Sequence, residues 1–158
     1  MKNENTNAVR LLRQRNIPFR LYSYPCPEAL SGEEIAEKLK KDAKAVFKTL
    51  VTEGRSGQNY VFMIPVAEEL DLKKAARAAG EKSISMVKAK MLLPLTGYVH
   101  GGCSPIGMKK QFPAFIHHTA DKLETITFSG GRIGLQTECS VGDLRKIIEI
   151  ASADLITE

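Results

Sequence analysis

At 158 residues, 43% of them apolar and 26% charged, the chain has the make-up of one folded domain, residues 1–158, large enough to need neither disulfides nor a structural metal. It contains no run of 18 apolar residues and begins with a polar stretch, which predicts neither a membrane span nor a secretory leader. Its three well-separated cysteines (Cys26, Cys103 and Cys139) read as reduced thiols of a cytoplasmic protein. The net charge of +5 is uneven: residues 73–110 alone carry +7, with Glu81 their single acid, a pattern that suits either a polyanionic partner or a solvated, lysine-bearing surface.

Thr6 is placed to cap a helix running to about Arg15, with Ala8, Val9, Leu11 and Leu12 on its apolar face and Asn16-Ile17-Pro18 ending it. Residues 19–24 alternate as a strand, and Pro25-Cys26-Pro27 imposes an extended loop. Ser31-Gly32-Glu33-Glu34 is a capping box opening a helix that buries Ile35, Ala36 and Leu39. Residues 45–52 and 60–64 form a hairpin around Gly54-Arg55-Ser56-Gly57. Asp71 caps a helix to Ala79, where Gly80 supplies the left-handed stop. Ser85 opens a short helix through Leu92 that Pro94 halts. Residues 98–100, 114–117, 125–128 and 133–137 read as strands, and Ser140 caps a last helix through Ile150. Because helices and strands do not alternate strictly, the class expected is α/β (α+β), with a mixed, mostly antiparallel, curved sheet of about six strands and flanking helices.

Two stretches carry chemical interest. Gly101-Gly102-Cys103-Ser104-Pro105-Ile106-Gly107 can expose backbone N–H groups to an ester, a carbonyl or a phosphate, or serve simply as a turn between strands. It is no Walker loop, since Met108 stands where lysine is needed, and no nucleophile elbow, since Ser104 lacks the following glycine and a triad. Lys48 interrupts the apolar run Ala45-Val46-Phe47-Lys48-Thr49-Leu50-Val51. It is either a donor at a cleft floor or a residue on the solvated face of a half-buried strand. The histidines (His100, His117, His118) and cysteines lack zinc spacings, and His117 and His118 are expected on opposite sides of a strand, so no metal site is predicted. Ser129-Gly130-Gly131 reads as a turn whose N–H groups can line a pocket.

Taken together, Ile17-Pro18-Phe19 leading to Tyr24, Phe47-Lys48-Thr49-Leu50, Leu72-Lys73-Lys74-Ala75-Ala76, Gly97-Tyr98 with the 101–110 run, and Ser129-Gly130-Gly131 before Gly134-Leu135 make the chain resemble the YbaK and prolyl-tRNA-synthetase-associated editing domains, most closely the free-standing YbaK Cys-tRNA(Pro) deacylases. The resemblance covers residues 6–157. It implies a partly barrel-like mixed sheet of six or seven strands and hydrolysis of the ester on a mischarged tRNA, without cofactor or metal. Lys48 becomes the essential lysine. Tyr24, Ser31, Gly101, Gly102, Cys103, Ser104, Pro105, Gly107, Ser129, Gly131 and Gln136 become pocket residues around the terminal aminoacyl-adenosine. In this branch the cysteinyl thiol attacks its own ester, so that no protein nucleophile is required. Ser31 and Gln136 depart from the family's aromatic and acidic residues, where side-chain selection would occur. The expected partners are the mischarged tRNA end and prolyl-tRNA synthetase, with no membrane or DNA. The alternatives are editing of Ala-tRNA(Pro) or another small aminoacyl-tRNA, or a non-catalytic tRNA- or synthetase-binding module. An editing site is physically sensible, because binding alone cannot strongly reject a smaller side chain.

Overall fold

The computed structural model describes residues 4–25 and 30–158; the loop read at Pro25-Cys26-Pro27 therefore lies largely outside the described residues. In chain order the elements are α1 (Asn7–Gln14), β1 (Arg20–Ser23), α2 (Gly32–Lys38), β2 (Phe47–Gly54), β3 (Asn59–Pro65), α3 (Leu72–Ala79), β4 (Ile84–Met86), α4 (Ala89–Thr96), β5 (Ala114–His117), β6 (Ile126–Ser129), β7 (Leu135–Cys139), α5 (Val141–Leu144) and β8 (Ile150–Ala153). Short 3₁₀ turns occupy Ala43–Ala45 and His118–Lys122. The mixed α/β class expected from the sequence is the one observed. Its strands divide into a three-stranded sheet, β1-β7-β6, and a five-stranded sheet, β4-β2-β3-β5-β8, without closing a barrel. The β1–β7, β6–β7, β2–β3 and β2–β4 pairs are antiparallel, and β3–β5 and β5–β8 are parallel.

Local chemistry sets the helix starts. Thr6, Ser31, Asp71 and Ser140 each accept a backbone N–H of the first helical turn, and Ser31 with Glu34 completes a reciprocal capping box. Gly80 ends α3 at φ +73, as its position predicts. Alternation along β2 and β3 then separates two apolar layers. Phe47, Val51, Val61 and Met63 pack with α1 and the three-stranded sheet, through Leu12, Ile126 and Phe128. On the opposite face Leu50, Tyr60, Phe62 and Ile64 pack with Ala75 and Ala76 of α3, while Val46 and Val66 take Ala36 of α2.

Four elements differ from their expectation. Ser85 lies in strand β4 and not at a helix cap, because Glu53 pairs with it across the sheet. The following helix runs to Thr96 with Pro94 in its last turn, where the missing proline N–H forgoes one helical bond and the buried Leu92 and Thr96 hold the chain against the core. Residues 98–100 form no strand, since the left-handed Gly97 and Gly101 turn the chain on either side. The last helix stops at Leu144, and Ile150 instead begins β8, paired with Ala114 of β5. Strand β5 also ends at His117, so His117 and His118 do not diverge across a strand: their rings sit 4.4 Å apart, near Asp154. His117 Nδ1 accepts the Leu155 N–H at 3.2 Å, which places the proton of the neutral ring on Nε2 and leaves that nitrogen without a lone pair for a metal. No helix among the described residues is long and apolar enough to cross a membrane.

Candidate active site

The two sheets touch along one edge of β2. Val46 forms a parallel bridge with Thr127 of β6, while β4 covers the same edge only from Thr52 to Gly54. The Val87 N–H reaches the Val51 carbonyl at 3.2 Å, and between these anchors no described strand pairs with residues 47–50 on this edge, opposite β3. The Val66 N–H donates to the Val46 carbonyl and the Gly54 N–H to the Gln58 carbonyl, so even-numbered positions bond β3. Antiparallel alternation then aims the N–H and C=O groups of Phe47 and Thr49 into the gap. The gap is a cavity of about 290 Å³, and residues 46–51 line it in unbroken succession. Leu30, Gly32 and Ile35 close it from the α2 side, Val87 and Leu92 from the α4 side. His100, Gly101 and Cys103 enter from the loop, and Ser129 and Gln136 from the three-stranded sheet.

Lys48 leaves β2 on the face that carries Val46, packed under α2, and Leu50, packed toward α3. It is half-buried, lines the cavity, and makes no ion pair or hydrogen bond among the described residues. Thr49, beside it, also lines the cavity, and its buried Oγ1 has no hydrogen-bond partner among the described residues. Such a hydroxyl is costly unless a ligand satisfies it.

The glycine loop divides in two by position. Gly101 and Cys103 line the cavity, whereas Gly102, Ser104, Pro105 and Gly107 hold the loop from behind. A Cβ on Gly102 would stand 2.8 Å from the Arg132 backbone. Gly107 combines φ +74 with a backbone-to-backbone approach to Asn7 and Ala8, and Tyr98 donates its phenol proton to the Ile106 carbonyl at 2.7 Å. The Ser104 Oγ accepts the Ile106 N–H at 3.4 Å. Gly131 lies against Thr6 and Tyr98, and its N–H donates to the Ser129 Oγ at 3.2 Å. Tyr24 is buried beside the pocket and its phenol oxygen accepts from Gln136 Nε2 at 3.4 Å. Ser31 is exposed, with its hydroxyl engaged by the Glu34 N–H, and its α2 helix forms a wall without Ser31 itself lining the cavity. Lys48, Gly101, Cys103, Ser129 and Gln136 are thus the sequence-selected residues that meet at the cavity; His100 and Thr49 join them. Thr49 was visible only as Lys48's neighbour in an apolar run, and nothing local to His100 marked it.

The cavity's chemistry follows from its lining. Most of the wall is apolar, and among the described residues no carboxylate lines it and Lys48 is its one strongly basic group. The Cys103 thiol is pushed up to about 12 by burial and stays protonated at neutral pH. The Ser129 hydroxyl has a backbone N–H, and neither a histidine nor a carboxylate, as its hydrogen-bond partner. Among the described residues the lining therefore offers donors and a cation around an apolar slot, suited to stabilising negative charge on an acyl oxygen, but no activated nucleophile.

The model of the aminoacyl-tRNA editing domain matches residues 26–147, a span that contains every residue lining the cavity. The chain belongs to the aminoacyl-tRNA editing domain family. A protein of Enterococcus faecalis named as a proposed Cys-tRNA(Pro)/Cys-tRNA(Cys) deacylase is 40% identical to this editing domain over 156 residues, covering 98% of this chain and 95% of that protein. Among solved structures, a proposed trans-editing enzyme for prolyl-tRNA synthetase aligns with a TM-score of 0.88 at 21% identity, over 100% of this chain and 99% of the other. A structure from work on grafting epitope backbones onto scaffold proteins by computational design has the same TM-score, identity and coverage. At that identity the two structures establish the editing-domain fold alone.

Proposed function

We propose that the chain is a trans-acting deacylase that removes a small amino acid from mischarged tRNA, with Cys-tRNA(Pro) its preferred substrate. The observation that carries this reading is a lysine in an apolar slot whose described residues offer donors but no activated nucleophile. Such a site suits a substrate that brings its own nucleophile. The cysteinyl sulfur attacks its own carbonyl carbon; the C–S bond forms, the bond from that carbon to the ribose oxygen breaks, and the thiol proton ends on the released hydroxyl. The product is the free 3′ end and a strained thiolactone that water opens. Lys48 stabilises the charge gathering on the acyl and leaving oxygens, and backbone N–H groups at Gly101 and along the open β2 edge orient the ester. Gln136, at the inner end with Tyr24 behind it, meets the amino-acid side chain. A cavity of about 290 Å³, at the lower limit of small-molecule sites, favours a small acyl group.

The test is a panel of Cys-tRNA(Pro), Cys-tRNA(Cys), Ala-tRNA(Pro) and Pro-tRNA(Pro), each incubated with the protein and followed by loss of the acyl group. Faster release of cysteine than of alanine or proline is expected. Preference for alanine would place the chemistry on water and not on the substrate thiol, and absence of release from all four would leave a binding module.

A further inference from the structure

Among the described residues five large apolar side chains are exposed, and four of them, Met86, Met91, Leu93 and Val99, fall within one stretch of fourteen residues; they are 43–50% exposed. Both ends of that stretch reach the cavity, through Met86 and Val87 before α4 and through His100 after it. Lys88 and Lys90 stand at the start of α4. At its end Lys109 packs on Gly97, with its N–H donating to the Thr96 carbonyl at 3.0 Å, and Lys110 follows. All four lysines are exposed and none has an ion pair among the described residues, in contrast to Lys74, which is committed to Asp154. No acid occurs between residues 82 and 110, so along the chain these apolar residues are interspersed with charge of one sign only.

We infer that this stretch, from Met86 to Val99 around the exposed side of α4, seats the unpaired nucleotides that precede the acylated end of the substrate; they straddle the helix, with Met91 on one flank and Leu93 on the other, about 200° apart around its axis, and their phosphates meet the lysines. The inference rests on the proposed ester chemistry of the cleft for its direction, since a chain threaded into the cavity must leave over its rim. Single-stranded nucleic acid matches both properties of the stretch: its bases offer flat, apolar faces without requiring a particular sequence, and its backbone is a row of anions. Methionine thioethers are flexible and polarizable and adapt to any base. A second copy of this chain would bring like charge to like charge, which opposes self-association through the same face.

The probe is a short fluorescein-labelled, uncharged RNA ending in CCA, with binding followed by anisotropy at low and moderate salt and, in parallel, kinetics on Cys-tRNA(Pro). The wild-type protein should bind the oligonucleotide with an affinity that falls as salt rises. A double variant, Met91→Ser with Leu93→Ser, should weaken binding at least about five-fold and raise KM by a similar factor, the loss being confined to KM. Lys88→Glu with Lys90→Glu should weaken it and flatten the salt dependence, whereas Leu72→Ser, the fifth exposed apolar residue, should change nothing. Since the substituted side chains are exposed, misfolding is not the expected cause of any loss. Oligonucleotide binding equal in wild type and Met91→Ser/Leu93→Ser, or no binding at all by the wild type, overturns the inference even if the ester is cleaved. Conversely, oligonucleotide binding lost in the variant alongside a wild-type protein that cleaves no ester would sustain the inference and remove the catalytic reading.

Discussion

The backbone of Arg132 stands 2.8 Å from the point a Cβ would occupy on Gly102. The loop that delivers Gly101 and Cys103 to the cavity is therefore pressed against the turn that follows Ser129, and neither can shift alone. Gly102→Ala should cost roughly 1–3 kcal/mol through overpacking, which for a chain of this length is a fall in Tm on the order of 2–12 °C. Thermal unfolding by circular dichroism reads the stability. Deacylation measured well below the new Tm should still be reduced, because the loop's donors move; unchanged Tm and rate would show the contact to be soft.

Lys48 is half-buried without a partner among the described residues, so its removal breaks no ion pair. Lys48→Ala should lower kcat by about 10²–10³, the usual effect of removing one preorganised electrostatic donor, with Tm nearly unchanged. Single-turnover deacylation together with a melting curve tests both halves. A fully active variant would remove Lys48 from the mechanism, and a collapsed melting curve would make its role structural.

Thr49 gives the opposite combination. Its buried Oγ1 lacks a partner, so the near-isosteric Thr49→Val should raise stability by about 1 kcal/mol, or roughly 2–4 °C in Tm. If that hydroxyl is held in reserve for the substrate, kcat/KM should fall at the same time. A variant both more stable and equally active would mean that the orphaned hydroxyl serves nothing in the cleft.

His117 makes stability depend on pH. Burial, and next the facing His118, hold its pKa below the ordinary 6.5, against the pull of Asp154 and Glu68, with Lys74 adding to the depression. As pH falls, the unfolded chain takes up this proton before the folded one does. Stability is therefore complete above about pH 6.5 and is lost as pH drops through the window below it, toward the depressed folded value. Melting curves collected from pH 7.5 down to 5 should show the decline, and His117→Asn, which keeps an acceptor for the Leu155 N–H, should flatten it. An identical slope in the variant would assign the effect to other groups.

Features decided within a few residues were readable before folding. Thr6, Ser31, Asp71 and Ser140 cap helices because capping needs only the side chain and the next turn. What distant pairing decides was not: Ser85 and Ile150 became strand residues because Glu53 and Ala114 lie opposite them. The site divides the same way. Lys48 stood out as a charge in an apolar strand, and the glycine loop by composition. The part played by Thr49 and by the β2 backbone depends on an edge left open between the Thr127 bridge and β4, which no local pattern encodes.

Cys103 lines the cavity in which the proposed reaction would hold the ester, so the protein has a sulfur of its own within the slot. Ionised, it would compete for the acyl group and form a thioester that must then be hydrolysed. With its thiol pushed up to about 12 by its dry surroundings, it stays protonated at neutral pH and serves as a small greasy wall, so slow reaction with alkylating reagents is expected.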